Sequence, residues 1–189
     1  MTVRRTQAER RAETQAAVRA AARQLFGEKG YAETSIEDIA LLCGMTVRPV
    51  YHYFENKLGL FTAVTEQIEQ EIIDNMQGRD NAGPQDIWTG FMANCEDPHF
   101  RQIILIDGPT LLGRRRLSEG AITTAVRQQA ADMFGARPDG LTMTLLMGAL
   151  SSAALYIAEQ GATPEDYDKI RRLIEFYSNG EASTSRKEG

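Results

Sequence analysis

The sequence of 189 residues contains few of the residue types that build metal or disulfide sites. It has two cysteines, Cys43 and Cys95, and two histidines, His52 and His99, and none of them has the spacing of metal ligands or of a redox pair. The pattern therefore excludes a zinc or disulfide scaffold. We expect both cysteines to be buried thiols.

Catalytic patterns are lacking as well. An enzyme site would need a nucleophile paired with a base, a metal cluster, or a glycine-rich phosphate loop after a strand. The isolated histidines, the unpaired cysteines and the absence of sustained strand alternation provide none of these. We therefore expect a protein that is not an enzyme and that uses no cofactor.

Long apolar runs are also scarce. No run approaches the ~20 residues that a membrane span needs, and Met1–Arg11 is polar and arginine-rich, without the apolar core of a signal peptide. We expect a cytoplasmic protein with no membrane partner.

The charge that is present is distributed unevenly. The net charge is −5, yet residues 1–57 hold nine Lys/Arg against seven Asp/Glu, a surplus of +2, which leaves twelve against nineteen, or −7, for the remainder. This asymmetry is typical of a nucleic-acid-facing head on an acidic body. The basic residues of the first part include Arg4, Arg5, Arg10, Arg11, Arg48 and Lys57.

The first third of the chain reads as three helices. Apolar residues recur at three- and four-residue steps between Arg10 and Glu28, and Gly30 follows as a C-terminal glycine. The segment "TSIED" predicts a helix from Ser35, its N-cap, to about Cys43. Gly44 permits a turn, Thr46 is a plausible N-cap for a helix over residues 47–53, and Asn56 caps the next helix. Two short helices around a tight turn predict a helix-turn-helix.

The span "FGEKGYAETSIEDIALLCGMTVRPVYHYFENKLGLFTAV" resembles the DNA-binding head of TetR-type transcriptional regulators. The matching residues share the order and spacing of that family and are Gly30, Tyr31, Thr34, Ser35, Ile39, Ala40, Gly44, Tyr51, His52, Tyr53, Phe54 and Lys57. The segment "RQIILIDGPTLLG" is similar to one found in the ligand-binding halves of such regulators. The resemblance implies double-stranded DNA as a partner, a small-molecule effector and a homodimer.

The resemblance also implies roles for residues of the head. Thr34, Ser35 and Thr46 are expected to donate hydrogen bonds to phosphate at helix starts, and Lys57 to add a positive charge. Arg48 is the expected base reader, because its guanidinium matches the two acceptors of guanine. Val47 and Pro49 offer apolar contact to a thymine methyl, and Tyr51 and His52 are placed beside the backbone. Tyr51 has a second interpretation as a core residue.

Two residues depart from the family pattern. Pro49 stands where a small residue is more usual, and it removes an amide that Thr46 could have bonded. It also disfavours a helical conformation at Arg48, which predicts a later start for the helix. Arg48 itself occupies a position often held by a small residue. Both departures concern which bases are read.

Past Asn56 the chain reads as six further helices. Breaks at Gly83–Pro84, Asp97–Pro98, Gly108–Pro109 and Arg137–Pro138 separate helices near 57–77, 84–95, 98–107, 116–135, 139–160 and 164–179. The prediction is an all-α protein with a three-helix head over residues 1–56, a six-helix effector-binding and dimerisation body over 57–179, and a disordered tail over 180–189.

The segment "LTMTLLMGALSSAALYIA" is apolar almost all round and must be covered on more than one side. Small residues at four-residue steps would admit another helix closely, so we expect a dimer interface, with intrachain core as the alternative. The candidates are Leu145, Gly148, Ser152, Tyr156, Ile170, Leu173, Ile174 and Tyr177.

Large, soft apolar side chains gather in the body and suggest a pocket for a hydrophobic or aromatic effector, although the same residues suit an ordinary core. The candidates are Trp88, Phe91, Met92, Cys95, Ile103, Ile104, Met143 and Met147, with Asp107 either as a polar anchor of the pocket or as part of a helix end. The resulting hypothesis is a repressor that an effector releases from a palindromic operator. An activator or a helical protein-interaction module is the alternative.

Overall fold

The computed structural model describes residues 6–77, 94–113, 120–124, 128, 139–160, 163, 165–166, 168–170 and 172–173, without the side chains of residues 76, 77, 143 and 158. Helices account for the regular structure of these residues, and no strand occurs among them. The helices are α1 (Gln7–Glu33), α2 (Ile36–Leu42), α3 (Val47–Phe54), α4 (Lys57–Gln77), α5 (residues 98–111) and α6 (Gly140–Gln160).

The first helix begins at a reciprocal cap between Thr6 and Glu9 and packs through one stripe. Its buried residues Val18, Ala21, Ala22, Leu25 and Phe26 lie three and four positions apart, as one face of a helix requires. Ala17 and Ala20 lie outside this stripe and are exposed.

An aromatic cluster of α1 and α4 forms the centre of the head. The ring of Phe26 lies 5.2 Å from that of Phe61 in an edge-to-face arrangement. Tyr31 lies 5.7 Å from Phe26 and 5.3 Å from Phe61. Phe26 and Phe61 are fully buried. Burying such rings stabilises a domain by several kcal/mol, roughly 3–5 for each Phe that would be lost to Ala.

Helix α5 changes its winding along its length. It consists of α-helical Pro98–Phe100, π-helical Arg101–Asp107 and α-helical Gly108–Leu111. The predicted break at Gly108–Pro109 is therefore wrong. The N–H of Gly108 donates to the carbonyl of Ile103, five residues back, and this wider turn accommodates Pro109, which lacks an N–H and would crowd a carbonyl in an ordinary α-helix.

Two compact units divide the chain. The first comprises residues up to Ile68 together with Pro98–Leu111, and the second comprises Glu69–Asp97 and the residues from Leu112 onward. The first unit thus differs from the predicted head over 1–56. It includes the start of α4, and it includes α5 because that helix packs on α1.

Other predicted boundaries agree with the structure. The turn before Pro98, the range of α4 and the helix at 140–160 match their predicted positions. Residues 121–124 and 128 are helical, as are 165–166, 168–170 and 172–173. The predicted breaks at Gly83–Pro84 and Arg137–Pro138, most of the helix at 84–95 and the tail lie outside the described residues.

Candidate nucleic-acid interface

The end of α1 fixes where the helix-turn-helix begins. Gly30 has a φ of +77°, a left-handed conformation that glycine adopts easily, and it kinks the helix. Thr34 follows and is only 1% exposed. Its hydroxyl donates to the carbonyls of Gly30 (2.8 Å) and Leu25 (3.1 Å). The prediction that Thr34 binds phosphate is therefore wrong, because its hydroxyl is buried and hydrogen-bonded to carbonyls at the end of α1.

The start of α2 carries the predicted reciprocal cap. The N–H of Asp38 donates to Oγ of Ser35 (3.0 Å), and the N–H of Ser35 donates to Oδ2 of Asp38 (3.4 Å). Hydrogen bonds from Ser35 hold the pKa of the Asp38 carboxyl below its ordinary value. Ser35 is half-buried, and its hydroxyl also bonds the Asp38 carboxylate.

A tight turn joins α2 to α3. Gly44 has a φ of +66°, and a side chain there would meet no neighbouring atom, so backbone conformation alone requires the glycine. The N–H of Met45 donates to the carbonyl of Ala40 (2.9 Å), and that of Gly44 to the carbonyl of Leu41 (3.0 Å). The two bonds hold α3 at a fixed angle to α2.

Helix α3 presents one face to solvent. Val50 and Phe54, four residues apart, are buried in the head. Arg48, His52 and Tyr51 are exposed, Tyr51 by 47%. Val47 and Pro49 are half-buried, and Thr46 is exposed. The exposed face of α3 therefore offers a guanidinium, an imidazole and a phenol together. Because Tyr51 is exposed, its interpretation as a core residue is wrong.

The first turn of α3 leaves Thr46 without its usual capping bond. Thr46 occupies the N-cap position, but its hydroxyl makes no cap hydrogen bond, as expected where Pro49 supplies no N–H. The helix nevertheless starts at Val47, so the predicted later start is wrong. Proline is tolerated in a first turn, where the amides have no partner within the helix. The amides of Val47 and Arg48 thus lie at the positive end of the helix dipole.

Lys57 lies against the end of α1. Its Nζ donates to the carbonyls of Tyr31 (2.9 Å) and Thr34 (2.9 Å), and it lies 4.2 Å from the centre of the Tyr31 ring. Nζ of Lys57 therefore has a structural role, and the contribution of its positive charge to DNA binding stays a prediction. The ammonium satisfies carbonyls that the end of a helix leaves without partners.

The junction between α3 and α4 is short and strained. Glu55 has φ 63° and ψ −50°, and the N–H of Asn56 donates to the carbonyl of Phe54 (2.6 Å). Asn56 then caps α4, because its Oδ1 accepts from the N–H of Gly59 (2.8 Å). A Cβ on Gly59 would clash with the Phe54 carbonyl.

The predicted effector residues are only partly within the described chain. Cys95, Ile103 and Ile104 are buried, and Met147 is half-buried. Their role in a pocket stays a prediction. Trp88, Phe91, Met92 and the side chain of Met143 lie outside the described residues.

Asp107 lies against the end of α1. Its Oδ2 accepts a hydrogen bond from the N–H of Tyr31 (2.8 Å) and another from Nε2 of Gln102 (3.1 Å). The carboxylate is thus bound to the head, and its role as an effector anchor stays a prediction. Sequence spacing gives no signal for a contact between residues 76 positions apart.

The predicted dimer residues on α6 form an exposed apolar face. Leu145 and Tyr156 are exposed, Tyr156 by 60%, and Leu141 shares the face at 69% exposure. Gly148 and Ser152 lie between them and are also exposed. Ile170 is buried and Leu173 is half-buried, while Ile174 and Tyr177 lie outside the described residues.

The same helix corrects one expectation about apolar runs. Within the described chain, Gly140–Ile157 is long and apolar enough to cross a membrane, with 18 residues at a mean hydropathy of 1.5. This measure concerns length and composition only, and core or interface helices satisfy it too. Among the described residues, no group of three His, Cys, Asp or Glu side chains could hold a metal ion.

Comparison with known proteins matches both parts of the chain. The profile of bacterial regulatory proteins, tetR family, matches residues 18–64. The profile described as tetracyclin repressor-like, C-terminal domain, matches residues 86–177.

Two curated relatives are similar over a shorter stretch. The HTH-type transcriptional regulator CymR of Pseudomonas putida is 40% identical over 76 residues, which cover 40% of this chain and 37% of that protein. The HTH-type transcriptional repressor BepR of Brucella suis biovar 1 is 40% identical over 62 residues, 33% of this chain and 29% of that one. The chain therefore matches only about a third of the length of these relatives.

A solved structure extends the similarity over most of the chain. A TetR-family transcriptional regulator from Pectobacterium atrosepticum is 30% identical, with a TM-score of 0.57, and the match covers 91% of this chain and 95% of that one. The same family is indicated by the exposed helix-turn-helix, by the two matching profiles and by this similarity over most of the chain. The chain belongs to the TetR family of bacterial transcriptional regulators.

Proposed function

We propose that this regulator is a repressor that binds a palindromic operator as a homodimer and is released by a small hydrophobic or aromatic effector. The observation that carries the proposal is α3, which buries Val50 and Phe54 and exposes Arg48, Tyr51 and His52. A short helix with such a face is suited to the major groove of DNA. Similarity to BepR, which is a transcriptional repressor, supports repression over activation. The protein then acts on DNA in the cytoplasm.

The residues of the interface divide into two roles. Arg48, near the start of α3, reads a guanine through its two acceptors, and the apolar sides of Val47 and Pro49 contact a thymine methyl. Thr46 and the amides beside it bind phosphate, since the hydroxyl makes no capping bond and the helix dipole favours an anion there. Ser35, Tyr51 and His52 bind the flanking phosphates and fix the register.

The dimer brings two copies of α3 to successive major grooves. The support for it is the exposed apolar face of α6, where Leu145, Gly148, Ser152 and Tyr156 lie at steps of three and four residues. An apolar face of this extent is unfavourable in water and is stabilised by a second copy. Ile170, Leu173, Ile174 and Tyr177 of the last helix complete the proposed four-helix interface.

The effector acts by favouring one arrangement of the dimer. A ligand that binds better to a state with different spacing between the two heads shifts the population toward that state and weakens operator affinity. The buried apolar residues Ile103 and Ile104 support an apolar ligand. A screen for small molecules that raise the melting temperature of the purified protein would identify it.

Electrophoretic shift assays with the DNA upstream of its own gene test the proposal. Because the interface neutralises phosphates, affinity should fall by at least about a hundredfold between roughly 50 and 200 mM salt. Arg48→Ala should weaken binding by about 1–3 kcal/mol and relax base preference at one position in each half-site. Arg172→Ala, which removes an exposed arginine of the other unit, is the charge-matched control and should leave affinity nearly unchanged.

Other outcomes favour the alternatives. Absence of binding to any duplex, with retention of partner proteins, would favour a helical protein-interaction module. Loss of transcription from the target promoter on deletion of the gene would favour an activator. Equal weakening by Arg48→Ala and Arg172→Ala would refute the assignment of Arg48 as a base reader.

A further inference from the structure

The backbone of Tyr31 is held from two sides by side chains distant in sequence. Its N–H donates to Oδ2 of Asp107 on α5 (2.8 Å), and its carbonyl accepts from Nζ of Lys57 on α4 (2.9 Å). Both bonds are partly buried. The residue directly follows the left-handed kink at Gly30. These two bonds therefore fix the direction in which the chain leaves α1.

The approach of α5 to this point depends on two glycines of α1. A Cβ on Gly27 would clash with the Cβ of His99. A Cβ on Gly30 would lie 3.1 Å from Nε2 of Gln102 and 3.6 Å from Oδ2 of Asp107. Gly27 admits α5 this closely because it has no side chain, and Gly30 keeps the approach of Gln102 and Asp107 free of crowding.

The π-helical winding of residues 101–107 aligns Asp107 for this contact. Gln102 and Asp107 are five residues apart, and residues five apart lie on the same side of a π-helix because its hydrogen bonds join such pairs. In an α-helix, at about 100° per residue, they would point roughly 140° apart. The bond from Nε2 of Gln102 to Oδ2 of Asp107 (3.1 Å) therefore exists only with this winding.

The kink at Gly30 determines the position of α3, the proposed DNA-reading helix. Thr34 and Ser35 follow Tyr31 within four residues, Thr34 is buried, and α2 starts at Ile36. Helix α3 packs on both α1 and α2. A change in the chain direction at Tyr31 therefore displaces the surface that carries Arg48.

We propose that Asp107 is a positioning residue for DNA binding, which acts through Tyr31 to hold α2 and α3 in the orientation that reads the operator. Gln102 supports it by orienting the carboxylate. The inference rests on the proposed operator binding, and it assigns Asp107 to the DNA-reading machinery although it lies on a helix outside the helix-turn-helix.

Two variants of the full-length protein with the same charge test this role. Asp107→Ala removes the acceptor, whereas Asp107→Asn keeps an oxygen that can accept from Tyr31. Operator affinity measured by fluorescence anisotropy should fall about tenfold for Asp107→Ala and recover to within about threefold for Asp107→Asn. Ile106→Ala, which removes an exposed neighbour, should bind like the unaltered protein.

Amide hydrogen exchange of Tyr31, followed by NMR without DNA, reports on the contact itself. Asp107→Ala should accelerate exchange at Tyr31 at least about tenfold and leave exchange at Phe26 unchanged. If Asp107→Ala does not fold, Gln102→Ala replaces it, with smaller changes in the same direction. Unchanged exchange would disprove the contact, and fast exchange with unaltered operator affinity would disprove the positioning role.

The two proposals fail in different ways. Failure of the unaltered protein to bind any upstream DNA would overturn operator binding, and the positioning role with it, whereas the exchange rate of Tyr31 would still establish or disprove the contact. Equal loss of affinity in Asp107→Ala and Asp107→Asn would overturn the positioning role alone, because only one of them lacks the acceptor.

Discussion

Helices α3 and α6 both expose a face, and the two faces differ in chemistry. That of α3 carries Arg48, Tyr51 and His52, which water solvates well. That of α6 carries Leu141, Leu145 and Tyr156, which water solvates poorly. A polar face can remain in water and bind or release a polyanion, whereas an extended apolar face favours lasting association. The contrast supports the proposals of reversible contact with DNA through α3 and of lasting contact with a second copy through α6.

The largest expected effect concerns the core that supports α3. Phe61 is fully buried between the rings of Phe26 and Tyr31. Phe61→Ala should reduce the free energy of unfolding by about 3–5 kcal/mol, because it leaves a cavity that the head cannot fill. Urea denaturation followed by circular dichroism would measure it.

Leu41→Ala is the control for this change in the same unit. Leu41 is 79% exposed, so its removal should change the free energy of unfolding by less than about 0.5 kcal/mol. A loss as large as that of Phe61→Ala would mean that the side chain of Leu41 is covered in solution.

The next effect concerns the apolar face of α6. A Cβ at Gly148 would meet no atom of the described residues within 4 Å outside its own turn of the helix. Gly148→Trp should therefore leave the single chain folded and block the approach of a second one. Dimers should dissociate in analytical ultracentrifugation, and operator affinity should fall about a hundredfold as the two heads lose their linkage.

Gly148→Ala adds only a methyl group and should keep the dimer. A Gly148→Trp protein that still dimerises would place the interface elsewhere. Insertion of the purified protein into lipid vesicles would instead favour a membrane as the partner of this helix.

The smallest effect concerns the cap that starts α2. Ser35→Ala should destabilise the protein by about 1 kcal/mol at neutral pH, since the N–H of Asp38 loses its acceptor. The pKa of Asp38 is lowered in the folded protein. The ionised carboxylate therefore stabilises the fold fully at pH values above the ordinary pKa of 3.8, and this stabilisation is lost as the pH falls through the lower pKa of the folded state.

Thermal melts of the unaltered protein and of Ser35→Ala as a function of pH would check that the stabilisation by Asp38 is lost in acid. The difference between their melting temperatures should narrow below about pH 4. A difference that widened in acid would contradict the assignment of Asp38 as the ionised partner.

Local features of the head could be predicted from sequence. The cap at Ser35 and Asp38, the turn at Gly44 and the cap at Asn56 depend on residues within four positions of one another, and they lie as predicted. Local chemistry decides such features before any tertiary contact forms.

Residues whose partners are distant could not be placed in the same way. Thr34, Lys57 and Asp107 each bear a group suited to a ligand, yet each is bonded to backbone of the head, over separations of 9 to 76 residues. A hydroxyl, an ammonium and a carboxylate are equally able to bind a ligand or the end of a helix. The choice depends on packing, which residue type alone does not encode.

The conformation of Glu55 has a consequence for how the reading helix moves. Its dihedral angles and the bond between Asn56 and Phe54 define a classic γ-turn, a strained arrangement that costs about 1–3 kcal/mol. It persists because buried Phe54 fixes one side, and the capped start of α4 fixes the other. Residues 55 and 56 therefore cannot absorb a change in orientation between the two helices. A rotation at the start of α4 should turn α3 by a similar angle.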